Sequence, residues 1–156
     1  MHQERRTFLK SAGALGAIAV AIAAGLLKPG EVFAAAWNNL AFTAKTVADA
    51  ITNSGYGGAS ESNDILIKVP EIAENGAVVP VEATSNIPGT TSIAIFVDKN
   101  PNPLIADFTF SNGAEPFIST RVKMAMTSIV RVSVKASGKI YTASREVKVT
   151  IGGCGG

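Results

Sequence analysis

The chain is 156 residues long with formal net charge +2, 14 basic against 12 acidic residues, one histidine and one cysteine. A single domain fits that length. One histidine and one cysteine exclude a Ser-His-Asp or Cys-His catalytic pair within the folded part, and any zinc or iron–sulfur site built from their side chains, because His2 lies at the extreme N-terminus.

Residues 1–36 read as a removable export signal of the twin-arginine (Tat) type. Arg5 and Arg6 are followed by Phe8-Leu9-Lys10, then by an alanine-rich apolar run from Ser11 to Leu27 broken by Gly13, Gly16 and Gly25. Alanine and glycine contribute little to membrane partitioning, so a stable membrane anchor is disfavoured. After Pro29-Gly30, the segment Val32-Phe33-Ala34-Ala35-Ala36 offers small residues for cleavage after Ala34 or Ala36. Removal of Glu4, Arg5, Arg6, Lys10, Lys28 and Glu31 leaves ten basic and ten acidic residues, so the mature chain is formally neutral. A neutral chain gives no support for nucleic-acid binding. The expected destination is the periplasm, with the domain folded before export.

From Leu40 to Asn53, Leu40, Val47 and Ile51 recur at helical spacing, and one short N-terminal helix is predicted there. The stretch from Ser54 to Asn63 reads as a glycine- and serine-rich loop, with Tyr56 an ordinary loop residue. Strands are predicted near 65–69, 78–84, 92–98, 105–110, 117–124, 128–136, 139–143 and 145–151, each with one buried and one wet face. Turn residues punctuate them: Glu74-Asn75-Gly76, Ile87-Pro88-Gly89, Asn100-Pro101-Asn102-Pro103, Ser111-Asn112-Gly113 and Ser137-Gly138. The pattern predicts an all-β, immunoglobulin-like β-sandwich over residues 37–151.

Residues 152–156, Gly152-Gly153-Cys154-Gly155-Gly156, read as a flexible arm. The three residues from Ile151 to Cys154 span at most about 10 Å, enough to carry a sulfur into another protein's cleft. The arm holds no lysine or arginine, and the C-terminal carboxylate disfavours a thiolate. Cys154 is therefore a poor autonomous catalyst and a good attachment point for an intermediate processed elsewhere. Asp98, Asp107 and Glu115 lack the spacing of an acid/base pair, and Ser60 to Asp64 lacks that of a calcium loop. Met124 and Met126 are placed on one strand face, and Trp37 is given an ordinary packing role.

The terminal Gly-Gly-Cys-Gly-Gly, the Arg5-Arg6 signal and the run Val69-Pro70-Glu71-Ile72-Ala73-Glu74-Asn75-Gly76-Ala77-Val78-Val79-Pro80-Val81 resemble the SoxY family of sulfur carriers in bacterial thiosulfate oxidation. In that resemblance the long run looks like the first strand and turn. It implies a heterodimer with a SoxZ-like β-sandwich subunit, with sulfur species held covalently on Cys154 and no other cofactor or metal. It further implies partner enzymes in the periplasm: haem-containing SoxAX, the hydrolase SoxB and the dehydrogenase SoxCD. Competing readings are a structural β-sandwich with an intermolecular disulfide, a carrier for another sulfur pathway, and a ubiquitin-like protein activated at a terminal Gly-Gly.

Overall fold

A computed structural model of the chain describes residues 37–151. Two short helices come first, α1 (Asn39–Phe42) and α2 (Val47–Asn53), where one helix is predicted. The break has a local cause in capping. Asn38 Oδ1 accepts from Ala41 N at 3.1 Å to start α1, and Thr46, in extended conformation, accepts on its side chain from Asp49 N at 3.1 Å to start α2. An extended Thr46 cannot continue a helix through Ala44 and Lys45. The two pieces are tied by side-chain amides, Asn38 Nδ2 donating to Asn53 O and Asn53 Nδ2 to Leu40 O.

Nine strands follow: β1 (Ser60–Glu61), β2 (Ile65–Lys68), β3 (Ile72–Ala73), β4 (Val79–Ser85), β5 (Thr90–Val97), β6 (Leu104–Thr109), β7 (Phe117–Val122), β8 (Ser128–Ala136) and β9 (Lys139–Val149). One sheet runs β1-β9-β8-β5-β6 with β3 also pairing β9, and the other runs β2-β4-β7. The predicted β-sandwich is present. Between the sheets lies a core of Val79, Val81, Ile93, Ile95, Val97, Val130, Val132, Val134 and Val147, all fully buried.

Three differences from the sequence reading have physical reasons. The predicted strands at 139–143 and 145–151 are one strand, because Ser144 and Arg145 pair with Arg131 and Val130 without a break. The two-residue strands β1 and β3 are too short to show period two; each exists by parallel pairing with β9. The run Val69–Val81 is accordingly not the first strand and turn but holds β3, a loop and the start of β4.

The third difference concerns β5, which is buried from Ser92 to Val97 on both faces instead of one. Ile93, Ile95 and Val97 enter the sandwich core, while Ala94 and Phe96 point to the opposite side. There they meet Ala41, Ala44 and Ala50 of the helical segment, with Leu104 and Tyr56. The molecule thus has a helical layer on the large sheet, and small alanines let the short helices approach it closely.

The β8–β9 hairpin turns at Ser137 (φ 50°) and Gly138 (φ 74°), the two successive left-handed residues of a tight type I′ connection. Ser137 also receives the neighbouring Pro88-Gly89 turn, its N–H donating to Gly89 O at 3.2 Å and its hydroxyl to Pro88 O at 3.2 Å. A Cβ at Gly89, itself at φ 74°, would stand 2.6 Å from Ser137 Oγ. Gly89→Ala is therefore expected to destabilise the fold by about 1–3 kcal/mol, through a left-handed backbone and a displaced hydroxyl. Urea unfolding checks this, with an unchanged midpoint as the contrary result.

Candidate functional site

Cys154 with Gly152, Gly153, Gly155 and Gly156, and the signal residues Arg5 and Arg6, lie outside the described residues. What the structure describes is the root from which the C-terminal segment departs. After β9 ends at Val149, the chain is still held by a strap formed by residues 71–76. Lys148 N donates to Glu71 O at 2.9 Å, Thr150 N to Ala73 O at 3.1 Å and Thr150 Oγ1 to Glu74 O at 2.9 Å. Gly76 N donates to Ile151 O at 2.8 Å. From the other side, Val149 N donates to Thr127 Oγ1 at 2.9 Å.

The strap is itself shaped by the Glu74-Asn75-Gly76 turn. Asn75 Oδ1 accepts from Ala77 N at 2.8 Å, an Asx turn, and Gly76 O accepts from Met124 N at 2.7 Å. Paired backbone groups therefore run to Ile151, the last described residue. The exposed apolar side chains Ile72, Val78, Met126 and Ile151 all belong to these hydrogen-bonded segments or stand one or two residues from them. Met124 is fully buried and Met126 half exposed, beyond the end of β7; the two do not share a strand face. Glu71, Ile72, Glu146 and Lys148 line a shallow groove of about 260 Å³ beside the strap.

Tyr56 is not the ordinary loop residue that its glycine-rich surroundings predict. It is completely buried under the helices, edge-on to Phe96 with ring centroids 6.1 Å apart. Its hydroxyl lies 2.7 Å from Asp107 Oδ1 and 2.8 Å from Ser92 Oγ. With one proton to give, it donates to the carboxylate and accepts from the serine. Burial holds the phenol well above its ordinary titration range; the Ser92 hydrogen bond opposes this in part, and the Asp107 hydrogen bond and charge add to it. Tyr56 stays neutral and is a structural pin. Lys135 Nζ sits 4.0 Å over the ring and donates to Ser54 O, the C-cap of α2, at 3.0 Å. The cation thus meets both an aromatic face and a helix C-terminus.

The carboxylates considered for acid/base chemistry are not brought together as a site. Asp107 is bound to Tyr56, and Asp98 pairs with Arg131 at 3.0 Å across the β5–β8 ladder end. Asp98 Oδ1 and Arg131 Nε have no partner, which reduces what this half-buried pair contributes to stability. Among the described residues no group of three or more histidine, cysteine, aspartate or glutamate side chains could hold a metal ion. The Ser60–Asp64 segment is used instead by β1 and its pairing with β9. Trp37 is 69% exposed. No helix among the described residues is long and apolar enough to cross a membrane.

Comparison with known proteins then decides the family. The family model described as sulfur oxidation protein SoxY matches residues 53–154, well over half of the chain and through to the cysteine. The chain belongs to the SoxY family. The solved sulfur carrier protein SoxY from Chlorobium limicola f. thiosulfatophilum is 46% identical, with a TM-score of 0.60 over 67% of this chain and 96% of that one. A superoxide reductase (neelaredoxin) from Ignicoccus hospitalis is also similar in structure, with a TM-score of 0.50 and 17% identity over 56% of this chain and 80% of that one. At that identity the likeness concerns the fold alone. No curated protein sequence matches the chain.

Proposed function

We propose that this SoxY-family chain is a periplasmic carrier that holds thiosulfate-derived sulfur covalently on Cys154 and presents it to partner enzymes, without catalysing the reactions itself. The observation that carries the reading is the family match running to residue 154, where the chain has its one cysteine, two glycines on either side of it. The paired backbone up to Ile151 supports it, because a firmly rooted base gives a glycine-rich arm a fixed centre to move about.

The chemistry balances as follows. A haem enzyme removes two electrons and one proton as the Cys154 thiol and thiosulfate join through a new S–S bond, giving a cysteine S-thiosulfonate. Hydrolysis then adds water across the bond between sulfur and the sulfone, releasing hydrogen sulfate and leaving a persulfide on Cys154. A further enzyme then takes six electrons from the sulfane sulfur as water supplies three oxygens, giving a cysteine S-sulfonate, and a second hydrolysis of the S–S bond releases hydrogen sulfate and restores the thiol. Persulfide and thiosulfonate states are within the reach of an accessible cysteine sulfur. In this reading SoxAX, SoxB and SoxCD supply those steps, and a SoxZ-like subunit completes the carrier. No bound cofactor is required beyond the sulfur itself.

Intact-mass measurement of the protein from cells grown with thiosulfate tests the reading. Sulfur or sulfonate increments on the C-terminal peptide are expected. A homodimer linked through Cys154 with no such increments would favour the structural disulfide instead.

Export by the Tat route is the second part of the proposal, and it rests on Arg5-Arg6 and the Ala34-Ala35-Ala36 exit. Replacing both arginines by lysine should leave the protein in the cytoplasm, and the mature N-terminus should be Ala35 or Trp37. Periplasmic protein still beginning at Met1 would overturn the signal assignment.

A further inference from the structure

We propose that the turn between β6 and β7 is a self-modifying site, at which Asn112 converts to aspartate and isoaspartate by attack of Gly113, while the strap keeps the same dipeptide at Asn75-Gly76 intact. Neither half depends on what Cys154 carries. The chain has two Asn-Gly pairs. Glycine has no side chain to crowd the approach of its backbone nitrogen to the preceding asparagine, so an unfolded chain treats the two pairs alike. Folding separates them.

At the first pair the reacting groups are already engaged. Gly76 is buried, its N–H donates to Ile151 O at 2.8 Å, and its carbonyl accepts from Met124 N at 2.7 Å. Asn75 Oδ1 accepts from Ala77 N at 2.8 Å. Turning the Gly76 nitrogen onto Asn75 Cγ disturbs all three bonds and strips a buried backbone group of its partners. At the second pair, residues 111–115 are all exposed. Asn112 and Gly113 have φ of 56° and 75°, and the turn is closed by Ala114 N donating to Ser111 O at 3.1 Å. A Cβ built on Gly113 would meet nothing within 4 Å, and Gly113 N has no hydrogen-bond partner among the described residues. Opening this turn costs one exposed hydrogen bond and moves no core side chain. Other asparagines are blocked differently. Asn100 and Asn102 precede prolines, whose nitrogens carry no hydrogen, and Asn63 and Asn86 precede residues whose nitrogens donate to Ser62 Oγ and Ser85 Oγ.

In the reaction Gly113 N bonds to Asn112 Cγ and loses its proton, and the side-chain amide leaves as ammonia, closing a five-membered succinimide. Water then adds across one of the two ring C–N bonds. Cleavage at Cγ gives aspartate; cleavage at the main-chain carbonyl gives isoaspartate, with the backbone running through Cβ and Cγ. Nothing is oxidised or reduced. A neutral amide becomes a carboxylate, in the same exposed segment as Glu115. The extra backbone carbon of isoaspartate falls in a link between strands of different sheets, so no ladder is interrupted.

The test holds the purified full chain in mildly alkaline buffer, either folded or in concentrated guanidinium chloride, and samples it over weeks. Trypsin places the two sites in separate peptides, 69–99 and 100–121. In the folded protein, 100–121 is expected to yield two product peptides with the mass of amide-to-acid conversion, at least tenfold faster than 69–99 yields any. In guanidinium chloride the two rates should come within threefold of each other. On anion exchange the folded wild type should develop a later-eluting acidic form, and Asn112→Asp should elute there from the outset and develop no further one. Equal rates in the folded protein, or an Asn112 that stays intact, overturn the proposal. A tenfold difference that persists in guanidinium chloride also overturns it, since local sequence and not the strap would then protect Asn75.

Discussion

Cys154→Ser is expected to abolish sulfur loading and thiosulfate-dependent turnover while the unfolding transition stays where it is in the wild type. A serine oxygen cannot form the S–S bond on which the proposed cycle depends, and position 154 lies beyond the strap that ends at Ile151. The companion variant Gly153→Val keeps the sulfur but places a β-branched side chain beside it, narrowing the backbone choices and widening the segment that must enter a channel. Turnover with partner enzymes should fall at least tenfold, whereas the rate of alkylation by a small reagent should change less than threefold. Equal loss in both measurements would mean that valine disables the thiol itself. Undiminished turnover would mean that the glycine is not needed for access.

A second large effect is expected far from the sulfur. Tyr56→Ala should destabilise the domain by about 3–5 kcal/mol, the range for removing a large buried aromatic side chain. It would open a cavity against Phe96 and remove the partner of Asp107 and Ser92. It would also take away the ring under Lys135. Tyr56→Phe keeps the ring and should lose about 1–3 kcal/mol, the cost of leaving the Asp107–Ser92 site without its hydroxyl. Urea unfolding at neutral pH separates the two variants. A Tyr56→Ala protein as stable as Tyr56→Phe would show that the helical layer contributes little and that only the hydrogen bonds matter.

The sandwich was legible because its strands carry their own signal. Val130, Val132, Val134 and Ala136 alternate with Arg131, Ser133 and Lys135, and β8 falls on the predicted residues without adjustment. Ser137-Gly138 supplied the turn that a two-residue hairpin demands. The alternation in sequence predicts two strands where β9 is one, because Ala143, Ser144 and Arg145 interrupt it although the ladder with β8 passes through them. Ladder hydrogen bonds need only backbone, so a weak side-chain pattern does not end a strand whose neighbour is already in place.

Residue types and their order along the chain, by themselves, determined the all-β class, the absence of histidine or clustered cysteine chemistry from the folded part, and the singular position of Cys154 among glycines. Those conclusions need only composition and local spacing. The tertiary structure alone decided that Tyr56, in a glycine-rich segment, is the buried pin of a helical layer, because its partners Ser92, Phe96, Asp107 and Lys135 lie 36 or more residues away. It also decided where the arm is rooted. The hydrogen bonds from Gly76 to Ile151 and from Thr150 to Glu74 join segments some 75 residues apart, and no local pattern in either segment specifies that they meet. Burial and pairing across such separations follow from how the two sheets close, which is a property of the whole chain packed at once.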